Sequence, residues 1–204
     1  MTDTAAVKSR PLVAGTLIAA ASAFALGVND VVVPPLYRLG PDPQSVVAMR
    51  YVFFIVAMLP IIAATSGVRL PAGRLPHALG SGVLSSLGSL GLLAALSRMP
   101  VAVAVVIVYT FPIWTALFAG VIARRAPSPA LLGCLLLAFA GIAMSIGIGE
   151  IAVDVVGVLL ALGGAVAFAA SIVWNGATLS DTDPLSGSFY MAIGGFSLSL
   201  AVTL

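Results

Sequence analysis

The stretch VVGVLLALGGAVAFAASIVWN, Val155–Asn175, holds 21 consecutive residues without a charged side chain. A helix needs about 20 mostly apolar residues to cross the hydrocarbon core of a bilayer, because each residue adds about 1.5 Å along the axis. A run of this length and polarity is typical of a membrane-spanning helix. The stretch therefore predicts that this part of the chain lies in lipid.

The whole chain shares this character. Of its 204 residues, 61% are hydrophobic and only 8% are charged, whereas a soluble domain carries about a quarter charged residues. The formal net charge is only +2, and no basic cluster with interleaved aromatic residues indicates nucleic acid as a partner. The single cysteine, Cys134, excludes a disulfide or a cysteine metal site within the chain. We therefore expect an integral membrane protein surrounded by the lipid bilayer.

Seven apolar runs follow one another along the chain, separated by short connectors rich in proline, glycine, arginine and aspartate. The alternating ten-residue runs of a transmembrane barrel are absent, so the predicted fold class is all-α, a polytopic transmembrane helix bundle. The first run extends past the usual length of a signal peptide and is predicted to remain as a membrane helix. The predicted segments are Leu12–Leu36, Gln44–Thr65, Leu75–Ser97, Val101–Ala123, Ser128–Ile148, Asp154–Leu179 and Leu185–Leu204.

Basic residues near the segment ends predict the orientation. With a cytoplasmic N-terminus, six basic residues fall in inside connectors and two fall in outside connectors, which the positive-inside rule favours. One inside connector carries Asp181 and Asp183 and no basic residue, but acidic residues have little topological weight. The six are Lys8, Arg10, Arg69, Arg74, Arg124 and Arg125, and the two are Arg38 and Arg98.

An internal repeat begins at the sixth segment. When Val155–Asn175 is laid on Val13–Val33, seven of 21 positions are identical. The first unit has five segments. Because five is an odd number, a duplication of this unit would give two halves of opposite topology, as in many secondary transporters. The predicted organisation is a cytoplasmic tail at 1–11, a first five-helix repeat at 12–148, and two helices of an incomplete second repeat at 154–204. We accordingly expect the chain to be part of a longer protein with about ten helices.

Two charges lie inside predicted segments. Asp30 and Arg50 each sit about 9 Å below the same, outer, membrane surface, at 1.5 Å per residue. A charge at membrane depth costs about 2.5 to 3.5 kcal/mol on insertion scales, so an ion pair between them is one interpretation. The alternative is that Arg50 reaches the interface while Asp30 is solvated or neutral. The Asn29 amide either binds a substrate or binds backbone freed by a break at Pro34 and Pro35. The alternative, which we favour for the two prolines, is that the helix ends there.

The third segment carries small and polar residues at helical spacing, which more often allow close helix contact than bind a ligand. Ser85 and Ser89 are nevertheless candidates for lining a substrate path. The residues of this face are His77, Ser81, Ser85, Gly88 and Ala95.

The fourth segment has Pro112 near its middle. A proline there removes a backbone hydrogen bond, which membrane helices tolerate where neighbours or water satisfy the carbonyl. Tyr109, Thr110 and Trp114 flank this position, so a gate or a bend beside a cavity is predicted. Trp114 is too deep for an interfacial belt and is either a core residue or a stacking surface.

Trp174 and Asn175 in the sixth segment carry the same ambiguity as Trp114. Patterns for catalysis are missing, since the chain has one histidine, no metal-ligand spacing and no phosphate-binding glycine loop. We therefore expect no enzyme activity, no cofactor and no metal.

The chain resembles the EamA-type drug/metabolite transporters. The resemblance rests on Gly27 and Asn29 near the end of the first segment, on Arg50, on PVAVAVVIVYTFPIWTALFAG at Pro100–Gly120, and on LLGCLLLAFAGIAMS from Leu131. It implies ten helices in two inverted repeats, a central cavity lined mainly by the first four helices of each half, and alternating access without an ATP site.

One position departs from the family pattern. Many members carry a glutamate just after the fourth helix, where this chain has Ala123, Arg124 and Arg125, so no role of that glutamate carries over. Within the family the chain looks most like the amino-acid and aromatic-metabolite exporters of bacterial inner membranes.

The expected function is therefore a secondary transporter that exports small metabolites, amino acids in particular, from the cytoplasm. The alternative is a non-transporting assembly factor or channel-like subunit. The resemblance places the protein in the bacterial inner membrane, with a small-molecule substrate as its partner, as a monomer or a homodimer.

Overall fold

The computed structural model describes residues 15–17, 20–22, 24, 28, 40, 42–65, 68–144 and 154–203. Within these residues nearly all the chain is helical and no strand occurs, which confirms the predicted all-α class. The chain divides into two compact units, Met1–Pro41 and Asp42–Leu204.

The first unit is helical at 15–17, 20–22, 24 and 28. Its large apolar side chains Leu17 and Phe24 are exposed, which suits a helix surrounded by lipid or by other helices. Asn29, Asp30, Pro34 and Pro35 lie outside the described residues, so the expectations for them stay predictions.

The second unit contains seven α-helices and one 3₁₀ turn, Ala72–Arg74, among the residues the structure describes. Five spans are long and apolar enough to cross a membrane, Val101–Ile122 counting as one of them. They match the second, third, fourth, sixth and seventh predicted segments. The helices are α1 (Pro43–Ala64), α2 (Leu75–Leu96), α3 (Val101–Val108), α4 (Phe111–Ile122), α5 (Pro129–Met144), α6 (Val155–Thr178) and α7 (Pro184–Thr203).

Three aspartates fix helix starts by accepting hydrogen bonds from free N–H groups of the first turn. Asp42 accepts from the Ser45 hydroxyl at 2.6 Å and from its N–H at 3.3 Å, and these bonds, the hydroxyl first, lower the pKa of Asp42. Asp154 accepts from the Val156 N–H at 3.0 Å. Asp183 accepts from both the N–H and the hydroxyl of Ser186, at 2.9 and 2.7 Å. The connector boundaries read from the sequence thus have a direct chemical cause.

The helix α2 lies at the centre of the second unit. It packs most extensively against α6 and next against α7, while α1 packs on α7, and α3 and α4 pack on α6. Small residues make the central contacts, because no hydrophobic force drives helices together in lipid and close backbone approach is what remains. Helices from the two predicted repeats therefore meet along α2.

Glycines set how close α2 comes to α6. A Cβ atom at Gly164 would lie 2.9 Å from the Gly88 carbonyl oxygen, and one at Gly91 would lie 2.7 Å from the Leu160 carbonyl oxygen. Both distances are below normal van der Waals contact, so only glycine allows this approach. The small-residue face predicted on the third segment is thereby confirmed as a packing surface at Gly88.

The helix α5 differs from the others. Its described part spans 16 residues and makes few contacts with the other described helices. The sequence favoured a close helix contact at Gly133 and Gly141, but no described atom lies within 4 Å of a Cβ built at either position. Among the described residues no close contact forms at Gly133, and the expectation for Gly141 stays a prediction.

Candidate functional site

Four hydroxyl groups from three helices meet inside the second unit, and we call them the hydroxyl cluster. Tyr51 comes from α1, Ser85 and Ser86 come from α2, and Ser199 comes from α7. The Ser86 and Ser199 hydroxyl oxygens are 2.8 Å apart, and both serines are fully buried. The side chains of Ser85 and Ser86 lie close enough to the Tyr51 hydroxyl to act on it. Each segment of the chain contributes only one or two of these groups, so the cluster exists only in the folded bundle.

The hydrogen bonds in this cluster have a direction. Ser199 donates to the Gly195 carbonyl at 2.9 Å, and a serine hydroxyl has one proton to give. Ser86 is then the donor in its bond to Ser199. The bonds run from Ser86 through Ser199 to the α7 backbone.

Gly195 makes room for Tyr51. A Cβ atom at position 195 would lie 2.6 Å from the Tyr51 hydroxyl oxygen and still closer to its ring. The aromatic ring therefore lies directly on the α7 backbone, where no other residue type leaves space. Tyr51 on α1 and Gly195 on α7 form one matched contact between helices of the two predicted repeats.

Arg50 precedes Tyr51 within the membrane span of α1. Its side chain is partly buried, and its charge acts on the Tyr51 hydroxyl. The described residues form two ion pairs, Arg74 with Asp181 and Arg98 with Asp154, and Arg50 is in neither. The predicted pairing of Arg50 with Asp30 stays a prediction, because Asp30 is outside the described residues.

The remaining predicted residue of α2, Ser89, is near this cluster in the sequence but bonds locally. Its hydroxyl donates to the Ser85 carbonyl at 3.2 Å, within the same helix. Its oxygen keeps acceptor capacity. Ser85 and Ser89 therefore lie on one helix face, as the spacing of four residues predicts.

A second group of predicted residues lies where the fourth segment is interrupted. The helix α3 ends at Val108 and α4 begins at Phe111, so Tyr109 and Thr110 form a turn at mid-segment. The Thr110 hydroxyl donates to the Ile107 carbonyl at 2.7 Å. The helix is therefore interrupted beside Pro112, which lies in the first turn of α4, while the expected gate or bend beside a cavity stays a prediction.

Aromatic rings line this turn. The ring centroids of Tyr109 and Phe111 are 6.1 Å apart, and Phe111 packs edge to face on Phe168 of α6 at 5.2 Å. Trp114 contacts Phe118 on its own helix at 6.4 Å. The interruption thus faces α6 through Phe111, whereas Trp114 continues along α4.

The third group lies toward the end of α6. Trp174 is half exposed and lies 6.0 Å from the ring of His77 on α2. The Asn175 amide donates to the Met191 sulfur at 3.3 Å, which ties α6 to α7. The predicted site residues in the second unit therefore fall into three separate groups: one at α1 and α2, one at the turn between α3 and α4, and one near the end of α6.

The contact between α2 and α6 has its own polar bonds. The Ser171 hydroxyl donates to the Ser81 carbonyl at 2.8 Å, and the Ser81 hydroxyl lies 3.2 Å from the Ser171 carbonyl. At one end Arg74 binds Asp181 at 2.6 Å and also the Thr178 carbonyl. At the other end Arg98 binds Asp154 at 3.3 Å. Every bond of this set joins the first predicted repeat to the second or to its connectors.

Sequence reasoning missed several of these residues. Tyr51 and Ser86 were passed over although they adjoin Arg50 and Ser85 in the sequence, and Ser199 gave no signal beyond being polar within an apolar run. The available signal was that Tyr51 and Ser86 are polar and adjoin predicted site residues, since polar groups at membrane depth need partners. Among the residues that the structure describes, no group of three or more histidine, cysteine or acidic side chains is placed to hold a metal ion.

Comparison with known proteins gives one match. A family model described as the EamA-like transporter family matches residues 13–147, more than half of the 204 residues. No significant match was found among curated proteins or among solved structures. The matched range includes α1 to α5, with Arg50, the two α2 serines and the interrupted fourth segment.

Proposed function

The chain belongs to the EamA-like transporter family, and on this premise we propose that it is a secondary transporter that exports small metabolites, amino acids in particular, by alternating access. The multi-pass helical fold and the family match support a membrane transporter. The export direction and the amino-acid substrate are the proposed parts.

The observation that carries the proposal is the hydroxyl cluster, in which Ser86 binds Ser199 and the ring of Tyr51 lies on Gly195. Helices of both predicted repeats supply it, and transporter sites lie where such repeats meet. Hydroxyl groups both donate and accept hydrogen bonds, so they suit a substrate that carries an ammonium and a carboxylate group. Arg50 precedes Tyr51 in the sequence and places a positive charge beside the hydroxyl cluster. This charge favours a substrate carboxylate.

The two contacts between the repeats differ in what they allow. The α2–α6 contact is closed by glycine backbones, paired serines and an ion pair at each end. The α1–α7 contact includes a single large side chain, Tyr51, seated on Gly195. We expect α2 and α6 to move as one body and the path to open beside α1 and α7.

The direct test measures export by cells. Bacteria expressing the full-length protein are loaded with a panel of labelled amino acids and related metabolites, and efflux is followed against cells with an empty vector. We expect faster efflux and higher tolerance for at least one amino acid. Tyr51→Ala should abolish the gain, while Val52→Ala, the exposed neighbour on α1, should keep it.

Unchanged efflux over the whole panel, with the protein present in the membrane at wild-type amount, would contradict the proposal. Efflux of other metabolites but of no amino acid would keep the transporter and remove the proposed substrate class. Net uptake of the substrate, whichever side of the membrane starts with the higher substrate concentration, would contradict the proposed export direction.

The proposed location is the bacterial inner membrane with a cytoplasmic N-terminus, supported by the distribution of basic residues. In a Cys134→Ser background, Ser97→Cys should react with a membrane-impermeant maleimide in intact cells. Gly73→Cys should react only after permeabilisation. The opposite labelling pattern would invert the topology.

A further inference from the structure

The connector after α4 carries two arginines, Arg124 and Arg125, just past the end of a membrane span. The span ends at Ile122, so at about 1.5 Å per residue the two arginines lie about 3 to 5 Å beyond it along the chain. Both residues are exposed. Phospholipid head groups occupy the layer next to the hydrocarbon core, so the two charges lie at head-group level.

The backbone at Arg124 adopts a conformation that normally selects glycine. The helix α4 ends in a Schellman motif, in which the Arg125 N–H binds the Gly120 carbonyl at 2.9 Å and the Arg124 N–H binds the Val121 carbonyl at 3.1 Å. Arg124 takes the left-handed position of this motif, with φ of 51°. Glycine is the usual residue there, because other side chains are strained in that conformation. An arginine at this position is therefore explained by its side chain and not by the turn.

Neither arginine has an acidic partner among the described residues. No acidic residue occurs between Asp42 and Glu150 in the sequence, and the two described ion pairs belong to Arg74 and Arg98. Each of the four described aspartates has another partner: Asp42 binds Ser45, Asp154 binds Arg98, Asp181 binds Arg74 and Asp183 binds Ser186. Within the described part of the chain the two positive charges are thus uncompensated, which favours an anion from outside the chain.

Exposed apolar side chains lie on both sides of the two arginines. Val121 and Ile122 end α4 with exposed fractions of 75% and 61%, and Leu131 in the first turn of α5 is 46% exposed. The helix α5 makes few contacts with the other described helices, which leaves its start accessible to lipid. A ligand with an anionic head group and acyl chains matches both the charges and the apolar surface, whereas free phosphate matches the charges alone.

We infer that Arg124 and Arg125 bind the phosphate group of an anionic phospholipid, whose acyl chains lie along Val121, Ile122 and Leu131. A guanidinium group suits this head group, because it donates two parallel hydrogen bonds to one phosphate. The bound lipid joins the end of α4 to the start of α5. The inference does not rest on the proposed function, since it involves neither a transported substrate nor the hydroxyl cluster.

The test counts the lipids that bind to the purified full chain. The protein is placed in nanodiscs of phosphatidylcholine with a small share of phosphatidylglycerol, released into mild detergent and examined by native mass spectrometry. A basic residue near an anionic lipid surface strengthens binding about fivefold. We therefore expect phosphatidylglycerol to be enriched at least about fivefold over its share of the disc, and to raise the melting temperature above that in phosphatidylcholine alone.

Arg124→Gly is the decisive variant, because glycine removes the charge and suits the left-handed backbone. We expect the enrichment of phosphatidylglycerol to fall about fivefold, while the melting temperature in phosphatidylcholine alone stays equal to or above wild type. A loss of lipid binding without destabilisation separates this result from misfolding. Arg125→Gln removes the second charge and leaves Arg124 in place, and it should lower the enrichment by a similar factor.

Arg69→Gln is the matched control. Arg69 is also exposed and takes part in neither described ion pair, but it lies in the connector between α1 and α2. We expect this variant to keep the wild-type enrichment, which excludes an effect of net charge alone. Inorganic phosphate added to phosphatidylcholine discs should leave the melting temperature of the wild type unchanged.

Four outcomes would overturn the inference. Three concern the bound lipids: no enrichment of phosphatidylglycerol on the wild type, wild-type enrichment in both Arg124→Gly and Arg125→Gln, or an equal loss in Arg69→Gln. The fourth is a rise in melting temperature with inorganic phosphate that equals the rise with phosphatidylglycerol, which would assign the two arginines to a free anion instead of a lipid.

Discussion

The α2–α6 contact and the α1–α7 contact both join helices of the two predicted repeats, but they are built differently. In the first, backbone lies on backbone at Gly88, Gly91 and Gly164, and ion pairs close both ends. In the second, the ring of Tyr51 fills the space above Gly195. A backbone contact has one close-packed arrangement, whereas a single side chain can change rotamer or exchange partners. The α2–α6 contact is therefore suited to stay fixed, and the α1–α7 contact is suited to open.

The largest expected effect comes from separating α2 and α6. Gly164→Leu places a side chain where a Cβ atom already lies 2.9 Å from the Gly88 carbonyl oxygen. Since backbone on both sides cannot yield, we expect a loss of at least about 3 kcal/mol of folding free energy. Folded yield and melting temperature in detergent measure it.

The neighbouring glycine is a matched control for that variant. Gly163 has no heavy atom within 4 Å of its Cβ position, so Gly163→Leu should fold at near wild-type yield. Equal damage from both variants would show that helix propensity or insertion, and not the α2–α6 contact, limits stability.

The next effect concerns the α1–α7 contact and separates activity from stability. Tyr51→Phe removes one hydroxyl and keeps the ring on Gly195, so we expect about 1 kcal/mol or less of destabilisation. If the hydroxyl meets the substrate, transport should fall about tenfold, equivalent to about 1.4 kcal/mol. Initial efflux rates at matched protein amount measure this.

Gly195→Ala should lower transport as well, because the methyl group displaces Tyr51, while Gly80→Ala on the open face of α2 should not. Wild-type transport by Tyr51→Phe would remove the hydroxyl from the substrate path.

A smaller effect is expected at the end of the α2–α6 contact. Asp181→Asn removes the ion pair with Arg74 but keeps the hydrogen bond from Arg74 to the Thr178 carbonyl. Partly exposed pairs contribute about 0 to 1 kcal/mol and are screened by salt. We expect the melting temperature of Asp181→Asn to be below that of wild type at low salt and equal to it at high salt. Asp183→Asn, measured at neutral pH in the same series, is the comparison, because Asp183 lies in the same connector but is not paired with Arg74.

The smallest effect is a pH dependence at the start of α7. Hydrogen bonds from Ser186, first from its hydroxyl and then from its N–H, lower the pKa of Asp183 below its ordinary value of 3.8. A lowered pKa contributes stability above the ordinary value, and this contribution is lost as pH falls through the folded pKa.

The wild type should therefore lose a small amount of melting temperature between pH 4 and strongly acidic conditions. Ser186→Ala should flatten that part of the curve. Identical acid curves for the two proteins would mean that the capping bond does not persist in solution.

Much of the fold could be predicted from composition and spacing. Runs of about 20 apolar residues indicate spanning helices because lipid cannot satisfy a free backbone. The interruption near Pro112 was likewise predictable, since proline lacks the N–H that a helix requires. The few contacts that α5 makes with the other described helices were not predictable, because an apolar run with glycines at helical spacing does not say which helix lies beside it.

The candidate site shows the same division. Arg50, Ser85 and Tyr109 were found from their polarity at membrane depth. Tyr51, Ser86 and Ser199 were missed, because serine and tyrosine are common in membrane helices. What distinguishes these three is that they lie together in the folded bundle. Gly195 carries no chemistry at all in the sequence, yet it decides where Tyr51 lies.

By itself the sequence determined that this chain lies in a membrane as a bundle of helices, where those helices start and stop, and where one of them breaks. Those properties depend on local chemistry: side-chain transfer to lipid, capping carboxylates and a missing N–H. Only the tertiary structure decided that α2 lies against α6 and α7, that four hydroxyl groups from three helices meet, and that the ring of Phe111 packs on Phe168. These follow from contacts between residues far apart in the chain, and helical periodicity alone does not say which face meets which neighbour.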